Sequence, residues 1–475
     1  MEEQPQQQRA KAASLPPAML VLLPMMLVLL VSLGGCDILP SGTVPPAVPP
    51  KPLAIRFTVT DLATFKTSPI AESNRPSSTL TAFGLPDKTL KHSSRLPTGV
   101  IVRGINRYGQ IIGEYTYGSK EAFLWAPFEA NGAQGQMIPL NQLFAVPSSI
   151  TIEPQAINND GQIAGISTGG MFLWTPTQPN ALHGAITFLP WNGEGFISGL
   201  NDWGQVVIDA SSTNRGALWT PTHPNGTAGN ITLIAPVSSD TSMDLGGINS
   251  YGQVIGQSYQ GSQYSHAFLW TPNTPHGANG TTTVLHGDGG TVAAINDYGQ
   301  VNGSTINSAT FLWTPNHPNG TQGKLTSISS LQGGELDFYD ITPAGALVGT
   351  SFDDNNHAVV WLPEAPNSPH GKLLALGSIG DDTDSNAVAI NASGEVIGFS
   401  CSLNHSVSEA SCTNQPHLFV WDDAHGMHDL STLLATTSSF IFDETAVLND
   451  AGQIIVLAHD KQQVGHLLLL TPEPA

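Results

Sequence analysis

Ile295-Asn296-Asp297-Tyr298-Gly299-Gln300, followed shortly by Thr310-Phe311-Leu312-Trp313, is the stretch that decides the fold. An apolar run ends on Ile-Asn, two variable residues intervene, and Gly-Gln opens a second apolar run. Asn hydrogen-bonds the backbone two residues ahead and so starts a turn, while Gly supplies the positive φ that closes it. The flanking runs then pair as a hairpin with a four-residue or bulged loop. The third run has consecutive apolar residues, the pattern of a strand covered on both faces. The Asn and Gly of the turn are therefore expected to be structural.

The unit recurs eight times. Ile105-Asn106 with Gly109-Gln110, Ile157-Asn158 with Gly161-Gln162, Leu200-Asn201 with Gly204-Gln205 and Ile248-Asn249 with Gly252-Gln253 precede it. A degenerate Ile341-Thr342 with Gly345, then Ile390-Asn391 with Gly394-Glu395 and Leu448-Asn449 with Gly452-Gln453, follow it. From Gly109 to Gly452 the mean period is 49 residues. Third strands end at Trp125, Trp174, Trp219, Trp270, Trp313, Trp361 and Trp421, and Leu467–Leu470 takes that place in copy eight. Four copies put a His near the start of this strand (His266, His357, His417, His466), where packing or a backbone hydrogen bond is expected.

A weaker fourth strand is read at Gln136–Leu140, Ala185–Leu189, Asn230–Ile234, Thr281–Leu285, Lys324–Ile328, Lys372–Leu376 and Gly426–Leu430. The eighth copy has none after its third strand, and the displaced one stands upstream as Arg56–Leu62, whose Asp61-Leu62 matches Asp429-Leu430. An open stack has no use for that permutation. A ring does, because the two ends complete one blade and remove the exposed edges. The expected fold is all-β, an eight-bladed β-propeller of four-stranded blades, closed by Arg56–Leu62 pairing with Val464–Leu470.

Ile-Asn-x-x-Gly-Gln combined with His266-Ala267-Phe268-Leu269-Trp270 resembles the bacterial extracellular HAF-repeat family over roughly residues 55–472. The resemblance implies export and names no activity. Copy six departs from it at Thr342, and copy eight lacks the Trp.

Upstream, Arg9 and Lys11 precede an apolar run, Met19–Leu33, that reaches Leu33-Gly34-Gly35-Cys36. That run is short for a membrane span and suits a signal segment. It resembles a bacterial lipoprotein signal, which implies cleavage before Cys36 and lipidation of its thiol; an uncleaved signal anchor is the alternative. Six prolines within 37–52 then favour an extended tether. The expected organisation is a signal over 1–35, a tether over 36–54 and the repeat over 55–472, exported and lipid-anchored on the periplasmic or cell-surface side. In an oxidising space the remaining pair, Cys401 and Cys412, is expected to form a disulfide. A net charge of −21 with only 16 Lys and Arg argues against a nucleic-acid partner.

The Asn-x-x-Gly turns and the near-uniform Trp-Thr-Pro…Asn-Gly-Thr linkers belong to one face of the disc. Function is expected on the opposite face, where loops vary. There the long Lys66–Pro97 segment is read as a solvated loop. Aromatic residues mixed with carboxylates, Tyr115, Tyr117 and Glu121, then Trp191 and Glu194, then Tyr259 and Tyr264, suit sugar rings. Asp381, Asp382, Asp384 and Asn386 supply hard oxygens of the kind that hold Ca²⁺, without the turn Gly and distal Glu of an EF-hand loop. No other cofactor is expected. Gly165-Ile166-Ser167-Thr168-Gly169 matches a nucleophile elbow by letter but opens no helix. The leading functional expectation is a non-enzymatic envelope platform for protein or glycan contacts. The alternative is a carbohydrate-active enzyme, a glycoside hydrolase or lyase, at the channel mouth.

Overall fold

The computed structural model describes residues 56–66, 99–115, 121–210, 215–237, 240–261, 263–287, 289–305, 307–404, 412–435 and 440–473. All belong to the second of two compact units, Pro49–Ala475; the signal segment, the whole tether with Cys36 and residues 67–98 lie outside the described residues.

Eight antiparallel sheets of four strands each form the molecule, every strand beside its sequence neighbour. Blades 1 to 7 occupy 100–139, 152–188, 196–234, 242–286, 291–328, 335–375 and 384–429. Blade 8 takes its first three strands from Ile441–Leu448, Ile454–His459 and Val464–Pro472, and its fourth from Phe57–Lys66. That closing strand pairs antiparallel with Val464–Pro472, from Phe57 opposite Pro472 to Lys66 opposite Val464. It runs four residues beyond the expected Leu62, past a bulge between Asp61 and Ala63. Ring closure also appears in the core, where Val100, Val102 and Phe123 of blade 1 pack on Ile455, Leu457 and Leu467 of blade 8. First strands of successive blades touch all the way round, which puts them at the axis and the fourth strands at the rim.

The turns behave as their sequence dictates. Asn296 Oδ1 accepts the amides of Tyr298 and Gln300 at 3.2 and 2.9 Å, and Gly299 sits at φ +90°. The Asn side chain has a second task that spacing did not reveal. Its Nδ2 donates to the main-chain carbonyl of the matching residue in the next blade: Asn106 to Asn158, Asn158 to Asn201, Asn201 to Asn249, Asn249 to Asn296 and Asn296 to Thr342. Asn391 donates to Asn449, and Asn449 closes the circle on Asn106. Gln joins this lock by reaching both the Thr after its own Trp (Gln300 to Thr314, 3.0 Å) and the next blade's linker (Gln300 to Asn367 O, 3.3 Å). Asn367 and its counterparts Asn131, Asn180, Asn225, His276 and Asn319 have positive φ, between 53° and 60°. Each buried bond of this kind contributes about 1 kcal/mol, and leaving one partner bare costs more. Thr342 has no amide to donate, so among the described residues the link from blade 6 to blade 7 is missing.

Blade interiors are apolar on both faces. Phe268, Leu269, Val359 and Val360 have no exposed surface, and the terminal Trp of the third strand is buried in each of blades 1 to 7. Each fourth strand in blades 1 to 6 starts on a Gly, one residue before the expected boundary, because the Trp edge lies against it. At Gly371 a Cβ would stand 2.6 Å from the Trp361 ring and 2.4 Å from Leu362 O.

Candidate functional site

The Asn turns and the linkers between strands three and four share one face, since in blades 1 to 6 a linker amide binds its own turn (Asn319 N to Tyr298 O, 2.8 Å). The expected functional residues lie on the other face, and the scaffold uses most of them. Tyr115 ends the second strand of blade 1 and packs on Phe123, ring centroids 5.3 Å apart. Burial, then the Glu121 carboxylate, push its hydroxyl pKa upward. The Tyr115 amide donates to Glu121 O, so the structure does bring these two together. Trp191 is partly buried against the core between blades 2 and 3, and its Nε1 donates to the Glu194 carbonyl, not the carboxylate, at 3.3 Å. Being unrepeated therefore does not leave Trp191 free of the blades. Tyr259 donates its hydroxyl to Asp244 at 2.6 Å in blade 4. Tyr117 and the Tyr264 side chain lie outside the described residues. The described aromatics thus occupy three separate stations round the ring, each engaged with its own blade or junction.

The Asp381–Asn386 cluster does not assemble a coordination set. Asp381 points to solvent, whereas Asp382, Asp384 and Asn386 are buried and occupied by protein donors. Asp384 accepts the amides of Asn356 in blade 6 and Leu403 in blade 7. Asn386 Oδ1 accepts the Thr350 hydroxyl of blade 6. Among the described residues no group of three or more His, Cys, Asp and Glu is arranged to hold a metal ion. Of the oxygens that looked like calcium ligands, those of Asp384 and Asn386 clamp blade 7 to blade 6, and those of Asp382 bind blade 7.

The recurrent histidines likewise take a role that their spacing alone did not show. His266 Nδ1 lies 2.7 Å from Asp240, His417 Nδ1 2.9 Å from Asp382 and His466 Nδ1 2.8 Å from Asp61. For these three of the four recurrent histidines the partners are carboxylates, not packing alone or backbone groups. Ser258 and Ser400 donate to the same oxygens of Asp240 and Asp382. Both nodes tie an interblade linker to the following blade. Ser and His both face the carboxylate and not each other, which is not the relay of a nucleophilic triad. Ser167 of the Gly-x-Ser-x-Gly stretch binds Gly170 O and Gly169 N inside a tight hairpin.

A different place leaves polar groups facing outward. Along the rim between blades 5 and 6 runs a groove of about 430 Å³, lined among others by Thr326, Ser327, Ser329, Trp361, Glu364 and His370. Ser327 occupies the position that blades 2, 3 and 4 fill with Phe188, Leu233 and Val284, each opposite the same third-strand residue. Those three are exposed by 50, 65 and 43%, so a small hydroxyl here exchanges an apolar rim for an open polar one. Glu364, His370, Ser327 and Ser329 are exposed, and Thr326 Oγ1 is buried without a hydrogen-bond partner. Ser327, at a position that blades 2, 3 and 4 fill with a large apolar side chain, was the sequence signal for this groove.

No family model matches the chain, and no curated protein matches it. Among solved structures it is similar to a prolyl endopeptidase (11% identity, TM-score 0.44, covering 76% of this chain and 54% of that one). It is also similar to the Dos1 propeller (9%, 0.45, 88% and 95%) and to the polysaccharide lyase Uly1 (10%, 0.37, 88% and 100%). The chain spans about half the length of the prolyl endopeptidase.

Proposed function

We propose that this chain is an exported envelope lipoprotein of the HAF-repeat kind whose ring is a binding platform for a glycan. The observation that carries this reading is the rim groove between blades 5 and 6, where hydroxyls, a carboxylate and an imidazole face solvent instead of one another. Saccharides are held by such convergent donors and acceptors in shallow, wet sites. Support also comes from the variable face, where His266, His417 and Tyr259 are committed to scaffold carboxylates. The closing strand begins at the turn-face end of blade 8, Phe57 opposite Pro472.

Glycan-array binding of the full chain, read beside Ser327→Phe, tests the proposal. That substitution restores the apolar side chain of blade 2 and fills the groove, so binding should fall at least tenfold with the melting temperature unchanged. Phe188→Ser is the control and should leave binding intact. Binding that survives Ser327→Phe overturns the groove assignment. Cleavage of an array polysaccharide, seen as new reducing or unsaturated ends, replaces the platform by a carbohydrate-active enzyme.

A further inference from the structure

We infer that the junction between blades 6 and 7 is the seam at which this ring opens, and that the Cys401–Cys412 disulfide holds it shut. At the other junctions the turn-face lock rests on an Asn, aided in most copies by a Gln. Blade 6 has Thr342 and Ala346 in those places, so no side-chain amide reaches across the junction, and the Thr342 hydroxyl accepts the Ala346 amide within its own turn. The consequence is visible at the receiving turn. A Cβ on Gly161, Gly204, Gly252, Gly299 or Gly345 would meet the Gln Oε1 of the preceding blade within 2.4–2.8 Å, whereas at Gly394 it would meet nothing within 4 Å. What remains near the axis is Asp340, which accepts the Ile390 amide of blade 7 at 3.1 Å.

The junction is held from the opposite face. Asp384 takes the Asn356 amide at 2.9 Å, Ser385 Oγ takes the Ala358 amide at 3.0 Å, and Asn386 takes the Thr350 hydroxyl at 2.8 Å, all from blade 6. The carboxylate of this clamp, Asp384, and its neighbour Asp382 are positioned by the chain that the disulfide staples. Cys401 lies opposite Asp384 in the sheet and is bonded to Cys412, 11 positions further on. Leu403 N donates to Asp384 at 3.0 Å, while Asn414 donates to Asp382 at 2.7 Å and accepts Ser402 N at 2.8 Å. Two electrons and two protons from a dithiol reductant convert the disulfide to two thiols and the dithiol to its own disulfide. Positions 403 and 414 then lose the covalent constraint that aims them at the clamp.

Hydrogen exchange of the full chain, oxidised and after incubation with dithiothreitol, tests this. The Asn356 and Ala358 amides should exchange about tenfold faster once reduced, the factor that one lost charged hydrogen bond supports, while the matching amides of blades 2 to 4 stay unchanged. Asp384→Asn in the oxidised protein should reproduce the same local opening. Thr342→Asn with Ala346→Gln, which restores donors on the turn face, should suppress it in the reduced protein. A rise confined to peptides containing 402–414, or an equal rise in every blade, overturns the inference.

Discussion

At the scale of single residues, the recurring Asn does two jobs that compete for no atoms. Oδ1 caps its own turn and Nδ2 reaches the next blade, so one substitution damages two blades. Asn249→Ala should lower stability by about 2–3 kcal/mol, since it removes a cap and the cross-blade bond to the Asn296 carbonyl, which keeps only the Gly299 amide of its own turn. Urea unfolding measures it. Two turn glycines separate strain from crowding. Gly394→Ala meets only the φ penalty at +85° and should cost about 1 kcal/mol, whereas Gly299→Ala also drives a Cβ to 2.7 Å from Gln253 and should cost roughly 2–3 kcal/mol. Equal costs would mean that Gln253 is free to move away.

Asp340 gives the same scale a pH dependence. Burial, and then the Asp450 charge, raise its carboxyl above the ordinary 3.8 despite two backbone amides that favour the anion. Below pH 3.8 both folded and unfolded chains hold the proton. Between that value and the raised one only the folded chain does, so stability declines as pH rises through this window and levels off above it. Asp340→Asn should flatten this part of the profile, which melting across pH 3–7 will show against the parent protein.

At the scale of elements, strand order and turn chemistry were legible because each copy repeats them. Fourth-strand boundaries fell one residue late, since the need for Gly371 comes from the Trp361 ring across the sheet and not from local propensity. The Asn-to-carbonyl bonds were illegible for a related reason: a carbonyl has no letter. Oxygen-rich composition at Asp382 and Asp384 does not disclose burial, and their oxygens accept hydrogen bonds from neighbouring strands. Trp191 shows the converse error, an unrepeated residue that still fills a junction. Trp191→Ala should therefore cost about 1–2 kcal/mol, less than a fully buried Trp because the ring is only partly covered. Unchanged thermal melting would restore it as a residue available to a ligand.

At the scale of the whole molecule, eight near-identical blades make one cooperative object only if the ends meet. Two devices join them: the Asn449-to-Asn106 bond at the axis and the closing strand at the rim. An open stack would bare one face of blade 1 and one of blade 8, exposing Val100, Phe123, Leu467 and Leu469 to water. Burial of such side chains at about 25 cal/mol per Å² is the main reason for closure. The rim groove and the seam both belong to this scale, since each lies at a junction between neighbouring blades.

Closure is tested most directly by a covalent bridge between the two ends. Thr58 and Thr471 are partners in the closing pair, near the distance a disulfide spans. Thr58→Cys with Thr471→Cys, oxidised in dilute solution, should give a monomer whose peptide map links positions 58 and 471 alongside the Cys401–Cys412 bridge. Free thiols at 58 and 471, or a bridge joining two copies, would contradict the closed eight-bladed ring.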